Sequence, residues 1–202
     1  MNKPLLPAID TAGQLRETAF AFLLRDQRPV SPNELADATA LGRDAVTASV
    51  GALATAGWLD LNAEGRVTGS SGLSLDTGPH RLTLSGAAFR TWCAYDALGI
   101  AAALHADAVV ETTCGECAAP MALGFDAEIP ERAGAERLWL AEGDDDLRGS
   151  FCTPTVLLCG VELGRRWAER QGGRGHLLDL MEAAQAGARD WAGCALAAER
   201  LA

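Results

Sequence analysis

The tetrapeptide Ser31-Pro32-Asn33-Glu34 has one low-energy use in a folded chain, which is to start a helix. Ser31 can accept the amide three residues on, Glu34 can return the bond to the Ser31 amide, and Pro32 takes the first helical position, where its missing N–H costs nothing. A short helix through Ala40 is predicted. Upstream, Leu15, Ala19, Phe22 and Leu23 recur at the spacing of one helical face between Thr11 and Arg25. Downstream of Leu41-Gly42, Val46, Val50 and Leu53 mark a third stripe that stops at Gly57, a residue suited to the left-handed position after a helix. Trp58 to Leu61, the turn at 62–65, and Arg66 to Thr68 then read as two strands and a tight connection. Three helices and a hairpin predict a winged-helix-like unit.

Such a unit can read DNA, but its charge argues against that use. Residues 1–80 carry six Lys or Arg against nine Asp or Glu, and Arg43 is the only basic side chain of the third helix, 43–57. The formal net charge of the chain is -10. Nucleic-acid affinity comes largely from cations that neutralise phosphates, so no nucleic-acid partner is expected and the unit reads as a packing module.

At 202 residues, 49% hydrophobic and 22% charged, the chain is long enough for one large or two small soluble domains. The stretch at 70–86 has strand character, with Leu73, Leu75, Leu82 and Leu84 alternating around a Thr-Gly-Pro break, and a boundary near residue 80 divides the chain into 1–80 and 81–202. In the second part, helical character is expected over 87–104, short strands over 109–113, 121–125 and 137–140, and helices over 161–170 and 177–201 that cover the sheet. Gly187 and Gly193 weaken the last of these as one unbroken helix. The fold class is therefore α+β, a three-helix winged-helix-like domain followed by a mixed domain of short strands covered by helices. Residues 1–13 lack the apolar core of a signal peptide, and no stretch reaches the ~18 apolar residues of a spanning helix, so a cytoplasmic protein with no membrane partner is expected.

All six cysteines, Cys93, Cys114, Cys117, Cys152, Cys159 and Cys194, lie from residue 93 onward. In a reducing compartment they point to ligation, catalysis or packing rather than to disulfides. Cys93 and Asp96 are three apart, so on a helix they share a face, and the carboxylate can reach the thiol or something bound to it. The alternative is a buried cysteine beside a solvated carboxylate. Cys114-Gly115-Glu116-Cys117 links two predicted strands and is open to packing, metal ligation or redox exchange, with no second such pair and only scattered His80, His105 and His176 to complete a closed zinc site. Cys152 follows Ser150-Phe151 in a turn and precedes an apolar run, the place of a thiol facing a cavity. Arg148 either stabilises its thiolate or pairs with the acidic run Asp144 to Asp146. Cys159 and Cys194 read as buried packing residues.

The stretch PHRLTLSGAAFRTWCAYDALGIAAAL, the Cys114 region with its downstream Ala-Ala-Pro, and LRGSFC together resemble the organomercurial lyase (alkylmercury lyase) family. The likeness covers most of the chain, including GLSL ahead of PHRLTL, and its specific element is Trp-Cys-x-x-Asp followed about 55 residues later by Phe-Cys. It implies that Cys93 and Cys152 are the mercury-binding thiols, Asp96 the catalytic acid and Cys114 a structural cysteine. Some members carry a second cysteine directly after the downstream one, whereas this chain has Thr153.

The implied activity is protonolytic cleavage of R–Hg⁺ to R–H and Hg(II), a chemistry for which two soft thiolates and one carboxyl suffice. Trp92, Tyr95 and Phe151 would shield the site and receive the organic group, or serve simply as core. No cofactor is required. Hg(II) is the bound product, small-molecule cellular thiols are co-reactants, and a mercuric reductase is the implied downstream partner. Two other functions fit the same residues: a metal-responsive winged-helix regulator or metal-binding protein, and a lyase-like relative acting on a different organometallic or metal.

Overall fold

Asp10 opens the first helix by accepting the Gly13 amide at 2.7 Å, and in the computed structural model, which describes residues 10–127, 129–131 and 134–201, that helix is α1 (Thr11–Asp26). The capping box forms as its sequence demands: α2 (Pro32–Thr39) begins with Glu34 Oε2 accepting the Ser31 amide at 2.8 Å, while the Ser31 hydroxyl accepts the Glu34 amide at 3.3 Å. Helix α3 (Arg43–Thr55) buries Val46, Val50 and Leu53. Strands β1 (Leu59–Leu61) and β2 (Val67–Ser70) pair antiparallel across the turn at 62–65.

The chain then continues into one large sheet. Strands β3 (Leu73–Ser74), β4 (His80–Leu84), β5 (Ala87–Thr91), β6 (Ala108–Thr113), β7 (Pro120–Asp126) and β8 (Ile129–Pro130) complete eight strands in the order β1-β2-β3-β5-β4-β6-β7-β8. All of its pairings are antiparallel. A second sheet of three strands has β9 (Arg137–Ala141) between β10 (Val156–Leu158) and β11 (Gly175–Asp179). Helix α4 (Ala94–Ala103) is buried along its whole length, as an apolar helix without a polar face must be. Helix α5 (Val161–Arg170) packs on the small sheet, and α6 (Leu180–Asp190) crosses α4. At that crossing a Cβ on Gly187 would stand 2.3 Å from Gly99 Cα, so the two backbones meet where only glycine fits. Helix α7 (Ala192–Leu201) packs on α1, where the Arg25 guanidinium donates to the Leu201 carbonyl at 3.1 Å. One buried cluster joins Leu15, Phe20 and Val46 to Leu82, Leu98 and Leu138.

Two expected helices start elsewhere. Residues 87–91 form β5 instead of the first turns of a helix, because Ser85 and Gly86 at φ 47° and 90° make a tight reversal that pairs Ala87 with Leu84 and Thr91 with His80. Ala-Ala-Phe-Arg-Thr then alternates with the sheet, burying Phe89 and Thr91. Likewise 175–179 is an edge strand paired with β9, and the helix begins only at Leu180, where Asp179 and Glu182 make a second capping box with bonds of 2.9 and 2.8 Å. The break between α6 and α7 falls at Trp191. Among the described residues no helix is long and apolar enough to cross a membrane.

Candidate active site

Because β5 runs to Thr91, the helix bearing the Trp-Cys-x-x-Asp segment begins at Ala94, and Cys93 is its N-cap. Cys93 and Asp96 therefore do not share a helical face, as the spacing alone suggested. They meet as the two ends of a helix start: Asp96 Oδ2 accepts the Cys93 amide at 2.7 Å, the return limb of a capping box with cysteine in the place of serine. The local rule that places Glu34 back on Ser31 places Asp96 back on Cys93.

Cys152 reaches them from the other half of the sheet system. It ends a single π-helical turn, Leu147–Cys152, capped by Asp146, whose Oδ1 accepts the Gly149 amide at 3.0 Å. One thiol sulfur from each cysteine and a carboxylate oxygen of Asp96 lie within 4.8 Å of one another. All three residues are buried, with exposures of 0% for Cys93, 4% for Asp96 and 6% for Cys152. Burial pushes the Cys93 thiol well above its ordinary value, and the neighbouring Cys152 sulfur and Asp96 carboxylate add to the shift. Burial also raises Asp96, to about 6, against the opposing pull of the bonds from Cys93 and the charge of Arg148.

Beside this cluster is a narrow apolar pocket with about 20 Å³ of free volume, lined by Asp96, Cys152, Trp92 and Phe151 together with Trp58, Leu147, Trp191, Ser71 and Gly72. Trp92 and Phe151 thus both line the pocket. Tyr95 stands behind it, its ring edge-on to Phe151 and Trp191 with centroids 6.4 and 5.3 Å away, and its hydroxyl donates to Asp190 at 2.7 Å. Gly72, at φ 91°, is in close approach to Asp96: a Cβ there would stand 2.6 Å from the carboxyl carbon.

Arg148 pairs with Asp60 rather than with the acidic run Asp144 to Asp146. Its Nε donates to the Gly57 carbonyl at 2.7 Å, its Nη2 to Asp60 at 2.8 Å, and its guanidinium lies 3.2 Å from the centroid of the Trp92 ring. Asp60 also accepts the Trp92 indole N–H at 2.7 Å. One carboxylate on β1 thereby ties down the residue before Cys93 and the turn that ends in Cys152. Asp60, Trp58 and Trp191 were not singled out from the sequence; the one available signal was an acidic residue set among the apolar side chains of Trp58-Leu59-Asp60-Leu61.

The remaining cysteines divide in two. Cys194 is buried between α7 and α1, as expected of a packing residue. Cys159 is not buried: it is half-exposed at the end of β10, with its sulfur 3.6 Å from that of Cys117, and both lie within 4.8 Å of the Cys114 sulfur.

A buried pair of thiols beside a carboxyl that titrates near neutrality is the equipment of a protein that captures a soft metal and moves a proton next to it. The sequence profile of the MerB (alkylmercury lyase) family matches residues 73–196, more than half of the chain. An alkylmercury lyase of Streptomyces lividans is 28% identical over 151 residues, which is 73% of this chain and 68% of that one. A crystal structure described as the mercury-bound form of MerB2 superimposes with a TM-score of 0.81 at 21% identity, covering 95% of this chain and 93% of that chain, a likeness of fold. This chain belongs to the MerB family of alkylmercury lyases, enzymes that cleave carbon–mercury bonds.

Proposed function

We propose that this chain cleaves R–Hg–X by protonolysis, with Cys152 and Cys93 as the mercury-binding thiols and Asp96 as the proton carrier. The observation that carries the proposal is the convergence of two sulfurs and a carboxylate beside an apolar pocket that Cys152 and Asp96 line. Cys152 lines that pocket, so its sulfur takes the metal first: the S–Hg bond forms, X departs with the thiol proton as HX, and R lies against Trp92 and Phe151. Cys93 then adds its sulfur to mercury and passes its proton to the Asp96 carboxylate. The second thiolate raises electron density on the metal, and as the Hg–C bond breaks its electron pair takes the proton from Asp96. The products are R–H, HX and Hg(II) held by two thiolates, with Asp96 again ionised.

Burial that keeps the Cys93 thiol protonated makes it a proton source that only a soft cation can discharge. Small-molecule thiols would supply X and later strip Hg(II) from the site, and a mercuric reductase is a suitable consumer of the released ion. Residues 1–80 act in this proposal as a winged-helix-like packing unit that contributes Trp58 and Gly72 to the pocket of the domain at 81–202, and Asp60 to the bonds that hold Trp92 and Arg148. Arg43, which would face DNA on the third helix, is 3.4 Å from Asp37.

Purified protein given phenylmercury and excess thiol is expected to release benzene and thiol-bound Hg(II) above the thiol blank. An intact phenyl–mercury bond would sink the proposal. Cys194→Ser should retain turnover within about threefold, since that thiol is buried and does not itself line the pocket, meeting the Ser71 side chain behind it; a loss as large as that from Cys93→Ser would overturn the assignment of roles.

The pH dependence has opposite signs for activity and stability. Asp96 must enter as the carboxylate to receive the Cys93 proton, so kcat/KM falls roughly tenfold per unit as pH drops below about 6 and levels off above it. For the fold, a carboxyl raised from 3.8 to about 6 binds its proton more tightly folded than unfolded. Stability therefore rises as pH falls from about 6 toward 4, by at most about 3 kcal/mol. Asp96→Asn should remove this contribution, read as the difference in denaturation midpoint between the two proteins across that range.

A further inference from the structure

We propose that Cys114, Cys117 and Cys159 form a second site that binds one thiophilic d¹⁰ divalent cation, Zn(II) or Hg(II), through three sulfurs. Tetrahedral or trigonal coordination at a metal–sulfur distance of ~2.3 Å requires sulfurs roughly 3.8–4.0 Å apart. The three thiols, all free, already stand within 4.8 Å of one another, with Cys117 and Cys159 at 3.6 Å. Three sulfurs gathered by chance on a surface would be free to turn away from each other; these are held by backbone. The turn after β6 is closed by the Cys114 amide on the Ala119 carbonyl at 2.8 Å and the Ala118 amide on the Cys114 carbonyl at 2.9 Å. The Gly115 amide then ties the turn to the Leu157 carbonyl at 2.9 Å, two residues before Cys159. Gly115 is needed for that contact, since a Cβ there would stand 2.6 Å from Val156.

The electrostatics suit a metal as well. The amides of Cys117, Cys159 and Glu116 point at the Cys114 sulfur, so a thiolate there is met by three donors. Three thiolates around a divalent cation leave one negative charge, and Arg170 of α5 lies alongside, paired with Glu116 at 2.6 Å. That pairing keeps Glu116 from serving as a fourth ligand. With Cys117 exposed and Cys159 half-exposed, the fourth position faces solvent, the arrangement of a site that can load and unload. None of its residues belongs to the pocket of Cys93, Asp96 and Cys152.

The test uses the reduced full chain carrying Cys93→Ser and Cys152→Ser, so that its outcome is independent of carbon–mercury cleavage. Serine is a good N-cap, which protects the start of α4. One arm measures Zn(II) uptake against a chromophoric chelator; the other measures Hg(II) retained after desalting from excess glutathione. About one equivalent is expected in at least one arm, which identifies the ion, and less than about a tenth of that when Cys117→Ser and Cys159→Ser are added. No uptake in both arms, or uptake that survives the added substitutions, overturns the proposal. A second measurement avoids the buried substitutions: given the ion so identified, the unmodified chain should retain about one equivalent more than the Cys117→Ser/Cys159→Ser chain. Equal retention by the two overturns it equally.

Discussion

Asp96→Asn should hold mercury and leave the carbon attached to it. The amide is close in shape to the carboxyl and can still accept the Cys93 amide, so the capping limb at 2.7 Å and the start of α4 persist. What is lost is a group that can take a proton from one atom and give it to another within the pocket. Positioned proton transfer contributes about 10²–10⁴-fold, and with Asp96 buried no bulk water stands in its place, so turnover of phenylmercury is expected to fall by at least about 10³-fold. Cys93→Ser and Cys152→Ser should cost as much for a different reason, since a hydroxyl is a hard, weakly ligating group for a soft cation. The three variants separate in a binding measurement. Asp96→Asn binds Hg(II) as tightly as the unmodified chain, because both sulfurs remain, whereas either serine variant leaves a single sulfur at this site and surrenders the ion at a much lower concentration of competing dithiol. If Asp96→Asn kept a tenth or more of the wild-type rate, the proton would have to come from elsewhere and Asp96 would be only a helix cap.

The capping box at Ser31 and the one at Cys93 illustrate what could be read from residues and what could not. At Ser31 the signature is composed of the usual residue types, and helix α2 begins where it says. At Cys93 the same geometry is written with a cysteine, which is not a usual N-cap, so helical spacing suggested a shared face and the strand over 87–91 was overlooked. The pairing of Cys93 with Asp96 is a local matter and was legible. The arrival of Cys152 is not, because it depends on β9 and β10 pairing and on the π turn, contacts between residues far apart in the chain. Asp60 and Cys159 were missed for the same reason. An isolated acid or thiol acquires a role only from what the sheet register brings to it, here Trp92 and Arg148 for Asp60 and the Cys114 turn for Cys159.

Gly72→Ala joins the fold to the chemistry most directly. Gly72 sits at φ 91°, and an added Cβ would lie 2.6 Å from the Asp96 carboxyl carbon and 2.7 Å from its Cβ. Two costs should add: about 1–2 kcal/mol for forcing an L side chain into that backbone region, and about 1–3 kcal/mol for displacing a side chain in a filled interior. Gly65 supplies the control, with φ 71° and open space around its would-be Cβ, so Gly65→Ala carries the first cost alone. The difference in urea midpoint between the two variants then measures the collision. Asp96 cannot yield easily, because it is buried and its carboxylate is bonded to the Cys93 amide. The carboxyl that gives way moves off the line between the two sulfurs and the bound carbon, and a displacement of about 1 Å at a reacting group can cost about 10²-fold in rate. Gly72→Ala should therefore lose about that much turnover at temperatures where it is still folded, and Gly65→Ala should lose almost none. Equal stability and equal turnover in the two variants would mean that the loop at 71–72 relaxes away from Asp96, and that the carboxylate is positioned by its own helix alone.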